Sequence, residues 1–188
     1  ISLLFSDGIL KAVISDWEDN SQLLTQTATT SGEASTLFSA LSFHYGEVHA
    51  NDVITSTQRM SKDKLYVIDS NFSPIHAFKE ATTEEQREWK DVLDTVTEQQ
   101  LKQSWNRVLE AYKIQPRQYF AYPLMEIADI EKFPNFNKAD TQEIIGKLWE
   151  GIYKEYFLGI KRNGSIIPPI ESTMPLIMLA KDSSHLLV

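Results

Sequence analysis

Alternating apolar and polar residues predict strands in the first 80 residues of the chain. Apolar residues flank Asp7-Gly8, a dipeptide that supplies the two positive φ angles of a type I′ turn. Residues 1–18 are therefore predicted to form a β-hairpin. Further strands are predicted, in chain order, over 52–58, over 64–69 and, as an edge strand or an extended link, over 72–78.

The segment between these strands contains a second type of pattern. Residues 21–30 are rich in Ser and Thr, and this composition fits either a third strand or a flexible loop. Ser31 then stands where a helix N-cap is expected. Apolar residues follow at helical spacing, at Leu37, Phe38 and Leu41. A helix is therefore predicted from Ser31 to Gly46.

A helical period governs residues 82–113. Two capping boxes occur there, Thr83-x-x-Gln86 and Thr97-x-x-Gln100, and each is typical of a helix start. The apolar stripes that follow them are out of phase, because a step of five residues separates the stripes. The pattern predicts two short helices or one kinked helix. The stripes consist of Trp89, Val92, Leu93 and Val96, and of Leu101, Trp105, Val108, Leu109 and Tyr112.

The last 50 residues begin with the strongest single helical pattern. Asp140-x-x-Glu143 forms a capping box, and apolar pairs then repeat every four residues from 144 to 157. Gly159 has the position of a C′ glycine. The remaining predictions are a short helix over 123–133, a turn at 163–164 and a terminal hairpin with arms at 175–180 and 185–188.

These elements predict an α+β fold. We expect an N-terminal antiparallel or mixed sheet with one helix, a helical half and a C-terminal hairpin. The composition changes near residue 80, which indicates a sheet-rich acidic subdomain (1–80) and a helix-rich subdomain (81–188). A single domain is the alternative. The chain begins at Ile1 and ends in an apolar run at Val188, so a fragment of a longer protein is also an open interpretation.

Charge and composition exclude several classes of function. The net charge is −8, and the first 58 residues carry one base against seven acids. A surface of this sign repels phosphate backbones and favours a basic protein partner over nucleic acid. The absence of cysteine excludes disulfides and thiolate metal sites. No apolar run reaches the roughly 18 residues of a membrane span, so we expect a cytoplasmic protein.

No nucleotide-binding or hydrolase motif is present. The sequence contains no G-x-x-x-x-G-K-[ST] loop, no G-x-G-x-x-G and no G-x-S-x-G elbow. We therefore expect no cofactor and favour a non-enzymatic module that binds another protein, in the manner of an inhibitor or immunity protein. Its expected binding residues are the acids Asp16, Glu18 and Asp19, and the aromatic group Tyr119 and Tyr122 beside Arg117.

Three alternatives stay open at this point. Asp7, Glu33 and Asp52 are candidates for a two-metal phosphodiesterase site, because clustered carboxylates hold divalent ions. The predicted order of hairpin, third strand, helix and strand resembles an RNase H-like or actin-like sheet in topology. A metal site of His44, Glu47 and His49 is a weaker alternative, since the predicted helix end at Gly46 separates the two histidines. The third is a structural domain of a larger assembly.

Overall fold

The computed structural model describes residues 1–32, 34–71 and 73–188 and shows the predicted α+β class. A five-stranded antiparallel sheet has the order β2-β1-β3-β4-β5, and a long helix follows it. The elements of this half are β1 (Ser2–Ser6), β2 (Ile9–Ile14), β3 (Thr36–Ala50), β4 (Val53–Ser70), β5 (Ser73–Phe78) and α1 (Glu84–Ala111).

The second half adds several short helical segments and two small sheets. Strand β9 pairs with β6 on one side and with β10 on the other in a three-stranded sheet, and β7 pairs with β8. The elements are β6 (Tyr119–Pro123), a 3₁₀ helix (Leu124–Asp129), α2 (Lys138–Ile152), a π-helical turn (Tyr153–Phe157), β7 (Ile160–Arg162), β8 (Ser165–Ile167), β9 (Leu176–Ala180) and β10 (Leu186–Leu187).

The opening hairpin forms as predicted. Asp7 has φ 49° and Gly8 has φ 78°, the two positive angles that the turn requires. Asp7 also bridges to the third strand, because its backbone N–H donates to the Leu37 carbonyl at 2.9 Å and its Oδ1 accepts from the Leu37 N–H at 2.8 Å. The carboxylate of Asp7 therefore fixes the start of β3 against the hairpin.

The predicted helix from Ser31 to Gly46 is wrong, because residues 36–46 of it belong to the strand β3. Besides Thr36 at its start, its buried side chains are Leu37, Ser39, Leu41 and Phe43, which alternate along one face of the sheet. From Phe38 to Ser42, pairing with β1 and β4 satisfies the backbone of β3 on both sides. The sequence allows a helical period and a strand period here, and these tertiary contacts decide for the strand. Residues 21–30 form neither helix nor strand and belong to the connection from β2.

Strands β3 and β4 extend far beyond the rest of the sheet. They pair continuously from Thr36 opposite Val67 to Ala50 opposite Val53, and the two strands predicted over 52–58 and 64–69 merge into β4. Strand β1 pairs with β3 only as far as Ser42. The distal part of the pair, residues 44–59, is a two-stranded projection that we call the ribbon. Strand β5 covers only the proximal part of β4, as the predicted edge strand.

Helix α1 is one continuous helix, so of the two predicted forms the pair of short helices is wrong. The first capping box is present, with Thr83 accepting from the Gln86 N–H. The second predicted start lies inside the helix, where Thr97 is buried. Its buried residues are spaced by multiples of four, at Leu93, Thr97, Leu101 and Leu109. A polar residue thus occupies the centre of the buried stripe, while Val92 and Val96 of the predicted stripe are exposed.

The core consists of two clusters of buried side chains. The smaller one packs α1 on the proximal sheet through Leu37, Tyr66, Ile68, Phe78 and Leu93. The larger one draws residues from both sides of position 80, including Phe5 of β1, Leu101 of α1 and Trp149 of α2. The Trp149 ring stacks on Phe43 at a centroid distance of 5.0 Å. This contact fixes α2 against β3 where the ribbon begins.

Helix α2 starts three residues before the predicted box. Asn137 is the N-cap, and its Oδ1 accepts from the Asp140 N–H at 2.9 Å, so Asp140 belongs to the first turn. Gly159 has φ 82° after the π-helical turn, in agreement with its predicted role at the helix end. The terminal hairpin also forms, and its strand β9 pairs with β6 instead of joining the N-terminal sheet.

The outer edge of β2 is covered by residues 171–174. Leu10 donates to the Ser172 carbonyl at 2.9 Å and accepts from the Glu171 N–H at 2.8 Å, and Met174 donates to the Gly8 carbonyl at 2.8 Å. The Lys11 ammonium binds the Glu171 carboxylate at 2.8 Å. The hairpin at the start of the chain is therefore closed by a segment near its end. Among the described helices, none is both long and apolar enough to cross a membrane.

A half-buried ionic group on α1 leads to a prediction for stability. The Asp94 carboxylate accepts from the Tyr66 hydroxyl at 3.0 Å and from the Lys64 ammonium at 3.1 Å, and it pairs with Lys90. Burial opposes the charge of Asp94, but these hydrogen bonds prevail and hold its pKa below the ordinary value. A lowered pKa stabilises the fold above pH about 4, and this contribution is lost as pH falls through the folded-state pKa.

We therefore expect Asp94→Asn to lower the free energy of unfolding by about 1 kcal/mol at neutral pH, since solvent screens the two partly exposed lysines. The difference from the unmodified protein should shrink below pH about 4. Urea titrations across pH measure it, and Asp91→Asn, at an exposed position on the same helix, is the control. A loss that is constant down to pH about 2 would contradict the ionic origin.

Candidate functional site: an acidic cleft beside the ribbon

A cleft of about 1540 Å³ lies between the loop after β2, the start of the ribbon and helix α2. We call it the acidic cleft and the loop, residues 15–26, the acidic loop. Six carboxylates and one lysine line the described walls, so the cleft is strongly negative. The charged residues are Asp16, Glu18 and Asp19 on the loop, Glu47 on β3, and Glu143, Lys147 and Glu150 on α2.

The acidic loop is organised around an exposed tryptophan. The Asp16 carboxylate accepts from the Trp17 backbone N–H, and the Asp19 carboxylate accepts from the Trp17 indole N–H, both at 2.9 Å. The indole ring lies 6.1 Å from the Tyr45 ring on β3 and is 57% exposed. Two of the three predicted binding acids thus hold an aromatic side chain at the mouth of the cleft, and the third, Glu18, is exposed beside them.

The strand wall carries a hydrogen-bonded group of three side chains on one face of β3. The Tyr45 hydroxyl donates to Glu47 Oε1 at 2.6 Å, and the His49 Nε2 lies 2.9 Å from Glu47 Oε2. The hydrogen bond from Tyr45 and then that from His49 lower the pKa of Glu47 below its usual value. In turn the Glu47 carboxylate raises the pKa of Tyr45. Glu47 is therefore anionic well below neutral pH.

The helix wall is formed by one face of α2. The Lys147 ammonium binds Glu143 at 2.6 Å, and Lys154 pairs with Glu150 from outside the cleft. Both pairs lower the pKa of the glutamate concerned. At Gly146 an added Cβ would lie 3.0 Å from the Gln58 side chain, so the missing side chain permits the helix to approach β4 closely. This explains one of two helix glycines; at Gly151 the space is open.

The predicted carboxylate cluster does not assemble in the described structure. Asp7 lies in the first turn beside Leu37, whereas Asp52 lies in the turn between Ala50 and Val53. Thirteen residues of extended strand separate Leu37 from Ala50, which at about 3.3 Å per residue is roughly 40 Å. Glu33 lies outside the described residues. The helix on which the RNase H-like resemblance depended is β3, so the phosphodiesterase alternative has no structural support.

The three candidate metal ligands do not share a face of the strand. His44 and His49 are five residues apart in β3, which places their side chains on opposite faces. The His44 Nε2 lies 3.2 Å from the Ser61 hydroxyl, while Glu47 and His49 contact each other. Across residues 1–32, 34–71 and 73–188, no group of three or more His, Asp or Glu side chains is arranged to hold a metal ion.

The predicted aromatic group lies in β6, away from the acidic cleft. Tyr119 and Tyr122 are three residues apart in a strand, so they point to opposite faces, and both are half-buried. The Tyr119 hydroxyl lies 3.0 Å from the His185 Nε2, and Tyr122 packs 5.7 Å from the Phe133 ring. The Arg117 guanidinium donates to Gln115 at 3.1 Å. These residues therefore do not form one exposed patch.

The strand wall and the helix wall were not predicted as parts of a cleft, although Glu47 and His49 were candidate metal ligands. Tyr45, Glu47 and His49 follow each other with period two, which is the signal of one strand face, but the helical interpretation of β3 concealed it. The α2 residues carry no local signal, because tertiary packing alone brings them to the ribbon. Comparison with protein-family models, with curated proteins and with solved structures gives no match. The fold and the cleft therefore define this chain only as an α+β protein with an acidic groove.

Proposed function

We propose that this protein binds another protein by accepting a positively charged segment in the acidic cleft. The observation that carries the proposal is the convergence of six carboxylates from three separate elements on one concave surface. A negative concave surface with low-dielectric walls concentrates field lines and attracts a basic segment. The cleft includes Asp16, Glu18 and Asp19, the three acids that the charge distribution of the sequence predicts as binding residues.

The aromatic side chains of the cleft suit the same class of ligand. The exposed Trp17 and the Tyr45 ring provide faces for a lysine or arginine side chain, an interaction of about 0.5–1 kcal/mol at exposed sites. Trp and Tyr also contribute large contact area with few rotatable bonds. A basic segment thus finds both charge and apolar surface at the mouth of the cleft.

A heptapeptide of alternating lysine and threonine, KTKTKTK, labelled with fluorescein, is a defined probe for this proposal. We expect Asp16→Asn/Glu18→Gln/Asp19→Asn to weaken its binding at low ionic strength at least about tenfold, since each lost attraction is worth about 0.5–1 kcal/mol. Fluorescence anisotropy gives the dissociation constant. Raising the salt concentration should weaken peptide binding by the unmodified protein, so that its dissociation constant approaches that of the variant.

The matched control removes the same charge from a distant surface. Glu85→Gln/Glu88→Gln/Asp91→Asn changes three exposed acids of α1, and we expect less than about a twofold change in peptide affinity. Equal losses for the two triple variants would mean that net charge alone attracts the peptide. That result, or no binding of the peptide to the unmodified protein, would refute the proposed function.

A further inference from the structure

Strands β7 and β8 form a hairpin that projects from the body of the protein. Every residue from Ile160 to Pro168 is exposed, and the turn Asn163-Gly164 closes the hairpin with φ angles of 49° and 81°. Its base is fixed, because the Tyr156 hydroxyl binds the Ser172 hydroxyl and the Tyr156 ring packs against the larger core cluster. We call residues 158–170 the projecting hairpin. It is a fixed element that presents its side chains to the surroundings.

The projecting hairpin carries a large amount of exposed aliphatic surface for its length. Ile160 and Ile167 are opposite each other and share one face, and Ile166 lies on the other face. Single exposed aliphatic residues are common on protein surfaces, whereas a group of them marks an interaction site. The exposed aliphatic side chains are Leu158 (57%), Ile160 (55%), Ile166 (60%), Ile167 (47%) and Ile170 (40%). Because they occupy both faces, one flat protein surface could not cover all of them.

The charge of the projecting hairpin is opposite in sign to that of the whole chain. Residues 158–170 contain two bases, Lys161 and Arg162, and no acid, in a chain of net charge −8. Within residues 1–32, 34–71 and 73–188, neither base belongs to an ion pair. Two copies of the hairpin would bring like charges together, which disfavours self-association through this element. An anionic surface, in contrast, supplies partner charges for both bases.

We propose that the projecting hairpin docks on an anionic phospholipid surface. Lys161 and Arg162 bind lipid phosphates, and the isoleucines enter the boundary between headgroups and acyl chains. Membrane binding at this depth combines buried apolar area with the attraction of Lys and Arg to anionic lipids. This inference is independent of the acidic cleft and of its proposed ligand.

The distribution of residues within the hairpin suits this mode of binding. Strand β7 carries both bases, while β8 carries Ile166 and Ile167. Lys and Arg have long apolar stems, so their charged ends reach the headgroups while neighbouring isoleucines are buried. Lipid also adapts to both faces of a hairpin, which a flat protein surface does not. A nucleic acid would satisfy the two bases through its phosphates but leave the aliphatic side chains in water.

Flotation with phospholipid vesicles tests the inference. We expect the protein to bind vesicles of phosphatidylcholine with about 30% phosphatidylserine at least about tenfold more tightly than vesicles of phosphatidylcholine alone. Lys161→Gln/Arg162→Gln should weaken binding to the anionic vesicles at least about tenfold, because each base near such a surface contributes to the attraction. Ile160→Ser/Ile166→Ser should weaken this binding about tenfold, because apolar burial is lost.

Two matched variants change the same kinds of residue elsewhere. Lys132→Gln/Lys138→Gln removes two exposed bases near the start of α2, at the end of that helix far from the hairpin. Ile75→Ser/Val92→Ser removes two aliphatic side chains that are 69% and 51% exposed, on β5 and α1. We expect less than about a twofold change in vesicle binding for both. Equal losses in the hairpin and control variants would mean that general charge or apolar surface drives binding, and would overturn the inference.

A fluorescent label locates the contact directly. Because the chain has no cysteine, Ser165→Cys gives one labelling site on β8, and Gln99→Cys gives one exposed site on α1. With the fluorophore NBD at these sites, anionic vesicles should shift the emission to shorter wavelength for the hairpin label only. No shift at the hairpin, or no binding to anionic vesicles, would overturn the inference. Tight binding of soluble polyglutamate instead of vesicles would identify an acidic protein as the occupant and overturn the assignment to lipid.

Discussion

Truncation of Trp149 to alanine is expected to lower the free energy of unfolding by about 3–5 kcal/mol. Only 1% of this side chain is exposed, and its ring stacks on Phe43 at 5.0 Å. The indole N–H also lies 3.3 Å from the Met60 sulfur on β4. The substitution therefore opens a cavity where α2, β3 and β4 meet, and urea denaturation with far-UV circular dichroism measures the loss.

The control for this variant lies one turn further along the same segment. Tyr153 follows Trp149 by four residues and is 37% exposed, so its truncation to alanine should cost only about 1 kcal/mol. The dependence of the unfolding free energy on urea should stay the same in both variants, because the exposed surface on unfolding is similar. A Trp149→Ala loss no larger than that of Tyr153→Ala would show that α2 is not fixed by this contact.

A second large loss is expected for Gly8→Ala in the opening turn. Gly8 has φ 78°, a conformation that costs an L-residue about 1–2 kcal/mol. An added Cβ would also lie 2.7 Å from Cδ2 of Leu101, which is buried on α1. Strain and overpacking together predict a loss of about 2–4 kcal/mol in thermal or urea unfolding.

Gly164→Ala separates the two causes. This glycine has φ 81° in the turn between β7 and β8, and no atom lies within 4 Å of the position of its Cβ. Gly164→Ala should therefore lower the free energy of unfolding only by the backbone strain, about 1–2 kcal/mol. If Leu101 resists the new methyl group, Leu101→Ala will cost less in the Gly8→Ala background than in the unmodified protein. Equal losses at the two glycines, without such coupling, would contradict the packing argument.

The two main errors of sequence analysis have one physical cause. In β3 the buried face includes Ser39, and in α1 the buried stripe includes Thr97. A small polar residue at the centre of an apolar pattern hides the true period of that pattern. The sequence of β3 therefore resembled that of a helix, and the sequence of α1 resembled that of two short helices. Tertiary packing buries both residues, and no local rule reveals this.

The turns and one wall of the site were predictable because their causes are local. Asp7-Gly8 and Asn163-Gly164 both adopt the positive φ angles that their residue types favour. The acidic loop was identified from charge alone. The other two walls depend on the register of β3 against β4 and on the docking of α2 through Trp149, and these are contacts between residues far apart in the sequence.

The closure of β2 by residues 171–174 has a consequence for the order in which the protein folds. The opening hairpin is synthesised before the partner of its outer edge, which emerges about 160 residues later, at roughly 5–20 residues per second. During translation this edge stays unsatisfied for on the order of ten seconds. The nascent chain thus exposes an unpaired strand edge, a feature prone to pairing with other chains, until residues 171–174 have left the ribosome.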